Sequence, residues 1–187
     1  MNALETWCCS TSFWRRITRE RLLPWILGPA DLGDRLLEIG AGTGAATAAL
    51  RERVPHVVSL EYDHAFAARL TQKEGIGAGV VQGDAAALPF EDCAFSSAAC
   101  VLVLHHLRSA QLQDCAFAEI RRVLQPGGQF FAFEIPDRWF HRVIHTNSIF
   151  VPLDPDGLGA RLSSAGFADV TLDCQGGAFR FSALRNK

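Results

Sequence analysis

The sequence predicts an α/β fold: a doubly wound, mostly parallel seven-stranded sheet with helices on both faces and a C-terminal antiparallel hairpin. Three observations carry this. Short apolar runs alternate with helical patterns along the first 135 residues, the order that builds a parallel sheet covered on both sides. Residues 97–104, SAACVLVL, show almost no polar alternation, as a central strand buried on both faces requires. The last two strand candidates, 167–173 and 178–184, are separated by a Gln175-Gly176-Gly177 connection of hairpin length, so they run antiparallel to each other.

The elements follow in order. An amphipathic helix is expected over 12–27, with Phe13, Trp14, Ile17 and Leu22 on one face and Arg15, Arg16, Arg19 and Arg21 on the solvated one; Pro24 and Gly28-Pro29 break it. Strands are expected at 35–39, 56–60, 79–82, 95–104 and 129–135, with helices at 43–53, 63–73 and 109–124 between them. Ser109 is placed to cap a helix whose apolar stripe is Leu112, Ala116, Ile120 and Val123, and Pro126-Gly127-Gly128 turns it into the next strand. Asp154 before Pro155 reads as an N-cap with proline at the first helical position, and Gly166 as the C-terminal cap of that helix.

A chain of 187 residues, 49% hydrophobic and 20% charged, fits one globular domain. Its net charge of −2 lacks the cationic footprint that nucleic acid or an anionic membrane demands. The six cysteines form no C-x-x-C pair and follow no secretory segment, and the longest apolar runs are too short to span a bilayer, so a reduced, cytoplasmic protein without a transmembrane segment is expected. The adjacent Cys8 and Cys9 are read as small residues of a loose N-terminal segment.

The stretch LLEIGAGTGAATAAL, residues 36–50, joins a strand to a helix through alternating glycines and forms a crevice for a nucleotide-containing cofactor. Gly40, Gly42 and Ala45 satisfy the dinucleotide pattern G-x-G-x-x-[G/A]; Gly40, Gly42 and Gly44 equally satisfy the G-x-G-x-G of S-adenosylmethionine (SAM) enzymes. Glu61, 19 residues after Gly42 at the end of the second strand, can accept both ribose hydroxyls of either cofactor. Glu38 discriminates. A carboxylate inside the first strand costs free energy unless a cation or a hydrogen-bond donor meets it, and the methionine end of SAM brings an ammonium and a sulfonium, whereas a pyrophosphate would be repelled.

With LLEIGAGTG followed by LEYD, GDAAALPF, FSSAACVLVLHHL and RRVLQPGGQF, the chain resembles the class I, seven-stranded SAM-dependent methyltransferases over residues 35–134, and the terminal hairpin matches their last strands. The resemblance implies SAM as cofactor and S-adenosylhomocysteine as product. It implies that Glu38, Gly40, Gly42 and Gly44 surround the methionine moiety and that Glu61 holds the ribose. Tyr62 would flank the adenine, Asp84 with Ala85 would read its amino edge, and Leu102 would lie at the strand end beneath the transferred methyl. One departure stands out: many relatives carry a structural Asp after the Phe that opens the fourth strand, where this chain has Ser96 and Ser97 after Phe95. The whole chain would form one methyltransferase domain, with 1–30 as a helical cap, 31–135 as the cofactor-binding core and 136–187 as acceptor-side loop, helix and hairpin.

Methyl transfer from a sulfonium is an in-line substitution in which positioning is worth about 7–11 kcal/mol. Where the acceptor must lose a proton, His105 and His106 are the candidate bases. His141 and His145, four apart, can share a helix face but lack a third ligand nearby, so no metal is expected. The signatures of amino-methylating and cytosine-methylating DNA enzymes and the magnesium-anchoring Asp of catechol-type enzymes are missing, which leaves a small-molecule acceptor. Its pocket is expected from the N-terminal segment and 136–152: Trp14, Trp139, Phe140, His141 and His145, with Trp25, Ile144 and Phe150 as further apolar candidates. Two rivals stay open at this level: a non-catalytic module that binds SAM or its demethylated product, and a nicotinamide-dependent oxidoreductase.

Overall fold

The computed structural model describes residues 2–73 and 79–186. It begins with a helix the periodicity does not announce. Asn2 caps α1 (Ala3–Ser10) in a reciprocal box: its side chain accepts from Glu5 N at 2.9 Å, and Glu5 Oε2 accepts from Asn2 N at 2.7 Å. Cys8 and Cys9 therefore lie on a helix, not in a loose segment. Thr11 ends α1 and caps α2 (Ser12–Ile17), which runs through a π-helical turn at Thr18–Leu22 into α3 (Leu23–Leu27). Pro24 does not break the helix: it sits in the first turn of α3, where its missing N–H leaves little unsatisfied, and the wider π turn precedes it. Gly28, at φ 55°, ends the run.

The sheet comprises β1 (Arg35–Ile39), β2 (His56–Glu61), β3 (Val80–Gln82), β4 (Phe95–Val101), β5 (Leu124–Glu134), β6 (Phe167–Gln175) and β7 (Ala178–Arg185), in the order β3-β2-β1-β4-β5-β7-β6. The first five are parallel, and β7 is antiparallel to both β5 and β6, so β7 alone runs against the rest. The hairpin turns at Gly176 and Gly177, both with positive φ. The connecting helices are α4 (Thr47–Arg51), α5 (His64–Thr71), α6 (Ala110–Val123), α7 (Trp139–Ile144) and α8 (Pro155–Ser164). Ser109 and Asp154 cap α6 and α8 as expected.

Strand alternation sorts the core onto two faces. Ala98, Cys100, Phe130 and Ala132 join Phe117 and Ile120 of α6 and Leu158 and Leu162 of α8. Ala99, Phe131 and Phe133 join Leu23, Ile26 and Leu27 of α3 and Leu50 of α4. Trp25 belongs to this second face: it meets Phe133 edge-on at 5.7 Å, and its Nε1 donates to Asp173. Ser96 and Ser97 take up the structural work at their position. Ser96 Oγ accepts from Arg35 N at 3.0 Å, and both hydroxyls reach the Leu32 carbonyl, tying β4 to the start of β1.

Strand order reverses between β1 and β4, whose connections leave toward opposite sides of the sheet and open a crevice at the carboxyl ends of the strands. Phe130, fully buried, packs within 6.5 Å ring to ring of Phe117, Phe167 and Phe181. Phe130→Ala should therefore lower the unfolding free energy by about 3–5 kcal/mol in urea titration.

Candidate functional site

A cavity of about 880 Å³ occupies that crevice, lined along one side by the glycine loop, Glu61, Tyr62, Asp84 and Ala85, and along the other by Leu102, His105, His106, His141 and His145. The glycine loop must turn sharply out of β1: Gly40, Gly42 and Gly44 all have positive φ. Gly40 N and Ala41 N both donate to Leu60 O, which locks the loop to β2, and a Cβ on Gly40 would fall 2.4 Å from Val103 Cγ2. Glu61, at the end of β2, accepts from Gly42 N at 2.7 Å with one carboxylate oxygen and from Asp63 N at 2.9 Å with the other. Each oxygen retains a second lone pair, so a diol can still be accepted.

Tyr62 is 65% exposed at the rim. Asp84 does form a turn, its Oδ1 accepting from Ala86 N at 2.8 Å, and it lines the cavity as well. Leu102 sits at φ 58°, an uncommon conformation for a side chain with a Cβ, with its N–H donating to Phe133 O. This is why β4 ends at Val101 and not at residue 104.

Glu38 is buried, and the chain itself offsets part of the cost: Oε2 accepts from the hydroxyls of Thr47 and Ser59, each at 2.7 Å. Hydrogen-bond donors, one of the two partners the sequence argument allowed, are thus supplied from within, so Glu38 alone does not single out a cationic cofactor. Ser59 stands directly beside Glu38 in the β1/β2 register, a partner legible once the pairing is known. Burial still pushes the Glu38 pKa up, against the opposing pull of the two hydroxyls.

At the other end, Glu134 closes β5, fully buried, a functional candidate that sequence reasoning passed over. Its Oε1 accepts from Val103 N and Leu104 N, at 2.9 and 2.7 Å, and its Oε2 lies 2.5 Å from His105 Nδ1. His105 Nε2 stands 3.2 Å from His145 Nε2. His145 Nδ1 donates to His141 O, and His106 Nδ1 to Ile149 O. Glu5 of α1 brings Oε1 to 3.6 Å from His145 Nε2. Burial, helped by the neighbouring His105, pushes His106 down to about 4, and burial also lowers His145.

Helix α7 decides which aromatics reach the cavity. His141, Ile144 and His145 face it, while Trp139, 77% exposed, and Val143 project from the opposite side of the helix, and Phe140 on the flank does not line the cavity. Trp14 does line it, together with Phe133, Ile135 and Ile149.

The methyltransferase-domain family matches residues 37–132, about half the chain, including the glycine loop and the strand that leads to His105. The chain belongs to this family, the class I SAM-dependent methyltransferases. Among relatives, the demethylmenaquinone methyltransferase of Thermus thermophilus is 34% identical over 107 residues, 54% of this chain and 47% of that protein. The ubiquinone/menaquinone biosynthesis C-methyltransferase of Chromobacterium violaceum is 33% identical over 113 residues, 57% of this chain and 45% of that one. The chain thus spans about half the length of the relatives it matches. A SAM-dependent methyltransferase of Thermotoga maritima shares the fold at a TM-score of 0.74 and 18% identity, covering 97% of this chain and 94% of the other. Phosphoethanolamine N-methyltransferase 2 of Haemonchus contortus, solved with SAM, gives a TM-score of 0.71 at 13% identity, over 93% of this chain and 60% of that one. No helix among the described residues is long and apolar enough to cross a membrane.

Glu38 generates a pH signature. Its folded pKa lies above the ordinary 4.5, so as pH rises through 4.5 the unfolded chain releases this proton first and stability falls until the folded pKa is passed. Glu38→Gln removes the contribution. The unfolding midpoint of Glu38→Gln minus that of the wild type should grow with pH above 4.5 and then level off, as thermal scans across pH would record.

Proposed function

We propose that this protein transfers the methyl group of SAM to a small, largely apolar acceptor by in-line substitution. The observation that carries the reading is the continuity of one cavity from the glycine loop and Glu61 to the wall of α7. In this reading the methionine moiety lies along Gly40, Gly42 and Gly44 near Glu38, the ribose hydroxyls bond Glu61, and the adenine sits between Tyr62 and the Asp84-Ala85 turn. The methyl group then points past Leu102. The protein works as one domain, with the N-terminal helices and residues 136–187 built around the acceptor end. S-adenosylhomocysteine leaves as product.

The acceptor end is apolar, with Trp14, Phe133, Ile135, Ile144 and Ile149 on its walls, and polar only at the histidines. Such a surface suits an acceptor with a ring or an aliphatic body and one or two polar groups. The relatives named for demethylmenaquinone and for ubiquinone and menaquinone biosynthesis agree with that chemistry. The net charge of −2 speaks against a nucleic-acid acceptor. Trp139 and Phe140 drop out of the proposed wall, since neither lines the cavity. Of the two candidate bases, His105 faces a buried side chain at each ring nitrogen, Glu134 at Nδ1 and His145 at Nε2, whereas His106 Nε2 takes no hydrogen bond among the described residues. With its pKa near 4, His106 stays neutral and offers a lone pair to an acceptor hydroxyl.

Calorimetry with SAM and with S-adenosylhomocysteine tests the cofactor half. Each charge-assisted bond from a ribose hydroxyl to Glu61 is worth roughly 1.5–3 kcal/mol, so Glu61→Ala should weaken both ligands in parallel, by about tenfold or more, because both carry the same ribose. Undiminished affinity in a folded variant would sink the assignment. Transfer of labelled methyl from SAM to demethylated quinols, compared with hydrophilic amines and nucleic acid, tests the acceptor half; incorporation into nucleic acid alone would overturn it.

A further inference from the structure

We propose that His105, His106 and His145 form a binding site for a divalent transition-metal ion, with zinc the best match, at the acceptor end of the cavity. From the sequence no metal is expected, because His141 and His145 have no third ligand near them in the chain. The fold supplies a different trio. His141 turns its Nδ1 to Pro136 O, while His105 and His106 arrive from the end of β4 and bring the candidate ligand nitrogens of the three histidines within 4.8 Å of one another.

The tautomers follow from the partners. His106 Nδ1 and His145 Nδ1 each face a backbone carbonyl, which only accepts, so each carries its hydrogen there and each Nε2 is left as a lone pair. His105 Nδ1 faces Glu134 Oε2, a carboxylate oxygen that accepts, so the ring hydrogen lies on His105 Nδ1 and Nε2 carries the lone pair. That Nε2 faces His145 Nε2 at 3.2 Å, inside a pocket where both rings are more than nine-tenths buried. Two facing lone pairs at that distance repel unless a cation lies between them. A shared proton would satisfy that pair and leave His106 out; a metal ion satisfies all three.

The spacing agrees. With Zn–N bonds of about 2.0–2.1 Å, tetrahedral ligand nitrogens stand roughly 3.4 Å apart, close to the His105–His145 separation. His106, half-buried and lining the cavity, closes the remaining distance by turning its ring toward the other two. The outer contacts are those a metal-binding imidazole ordinarily has, a carboxylate behind one ring and backbone carbonyls behind the others. Glu5, buried and 3.6 Å from His145 Nε2, adds a compensating negative charge. Three neutral nitrogens suit zinc, and they leave a coordination position open toward the cavity. If the proposed methyl transfer is correct, that position is where an oxygen of the acceptor would be polarised, and with the ion bound His106 Nε2 would serve the ion instead of the acceptor hydroxyl.

The test needs no methyl transfer, so it fails or succeeds separately from the proposed activity. The full chain, stripped with a chelator and carrying Cys8→Ser and Cys9→Ser to remove competing thiols, is titrated with Zn²⁺ by calorimetry and with Co²⁺ by visible absorption. One ion per chain is expected, with Co²⁺ bands of a four- or five-coordinate nitrogen site. His106→Ala and His145→Ala should each weaken binding at least about tenfold, and Glu134→Gln, which loosens the hold on His105, by about 10–100-fold. His64→Ala, on the exposed side of α5, should leave it unchanged. Thermal midpoints establish that each variant is folded. No stoichiometric binding of either ion, or binding that His106→Ala and His145→Ala leave intact, overturns the proposal.

Discussion

Glu134 accepts three hydrogen bonds at the carboxyl end of β5, from Val103 N, Leu104 N and His105 Nδ1, and through them it determines how the chain leaves β4. Two of these satisfy backbone groups that the end of a strand leaves without ladder partners. The third orients an imidazole. Leu102, immediately before, is held at positive φ with its N–H on Phe133 O, and Val103 packs so close to Gly40 that no side chain fits there. The path of residues 102–106 and the shape of the glycine loop are therefore one problem with one solution, and a fully buried carboxylate anchors it. A shortened side chain at 134 would strand buried N–H groups as well as an imidazole, the costly way to lose a hydrogen bond.

Three adjacent or near-adjacent parallel strands thus end in, or carry, a buried carboxylate, and each is stabilised by a different kind of donor. Glu38 on β1 has hydroxyls, Glu61 on β2 has backbone N–H groups, and Glu134 on β5 has backbone N–H groups and an imidazole. The difference bears on function. Hydroxyl donors offset the burial of Glu38 only in part, so its proton is held more tightly than an ordinary carboxyl's, and a cation arriving nearby would favour ionisation. Backbone donors at Glu61 fix the carboxylate while leaving lone pairs toward the cavity. Residues of one chemical type become a charge-responsive group, a carboxylate with lone pairs turned to the cavity and a scaffold according to what donates to them.

The fold was legible because it rests on local periodicity: uninterrupted apolar strands, the Ser109 and Asp154 caps and the hairpin at Gly176-Gly177 each announce themselves within a few residues. That Gly40, Gly42, Glu61 and Asp84 share one side of the cavity was legible for the same reason, since each lies at a strand end or within three residues of one. The other end of the cavity was not. Its residues come from the N-terminus, the exit of β4 and α7, and only the fold tells that Glu5, His105 and His145 meet. Composition pointed to Trp139 and Phe140 because they are large and apolar; the rotation of a six-residue helix turns them outward and brings His141, Ile144 and His145 inward. Glu134 carried a usable signal, an acid ending an apolar strand, the same signal that drew attention to Glu61.

Helix α1 shows how the two ends of the cavity are joined mechanically. Among its described side chains only Glu5 is buried, and Leu4 and Trp7 are exposed, so apolar packing does little to seat it. Hydrogen bonds do that instead, and they go to opposite ends of the site. Thr43 of the glycine loop donates to Cys9 O at 2.8 Å, and Lys73 Nζ reaches the Thr43 carbonyl from beyond α5. At the other end Asn2 donates to Ile144 O and Thr146 O, and Glu5 accepts from Ser148 Oγ at 2.6 Å while facing His145. A single element of eight residues is therefore pinned at its C-terminal end to the loop that would hold the cofactor and at its N-terminal end to the segment that would hold the acceptor. Because no apolar side chain described on α1 is buried, its position rests on the hydrogen bonds at its two ends, one set to the glycine loop and the other to residues 144–148.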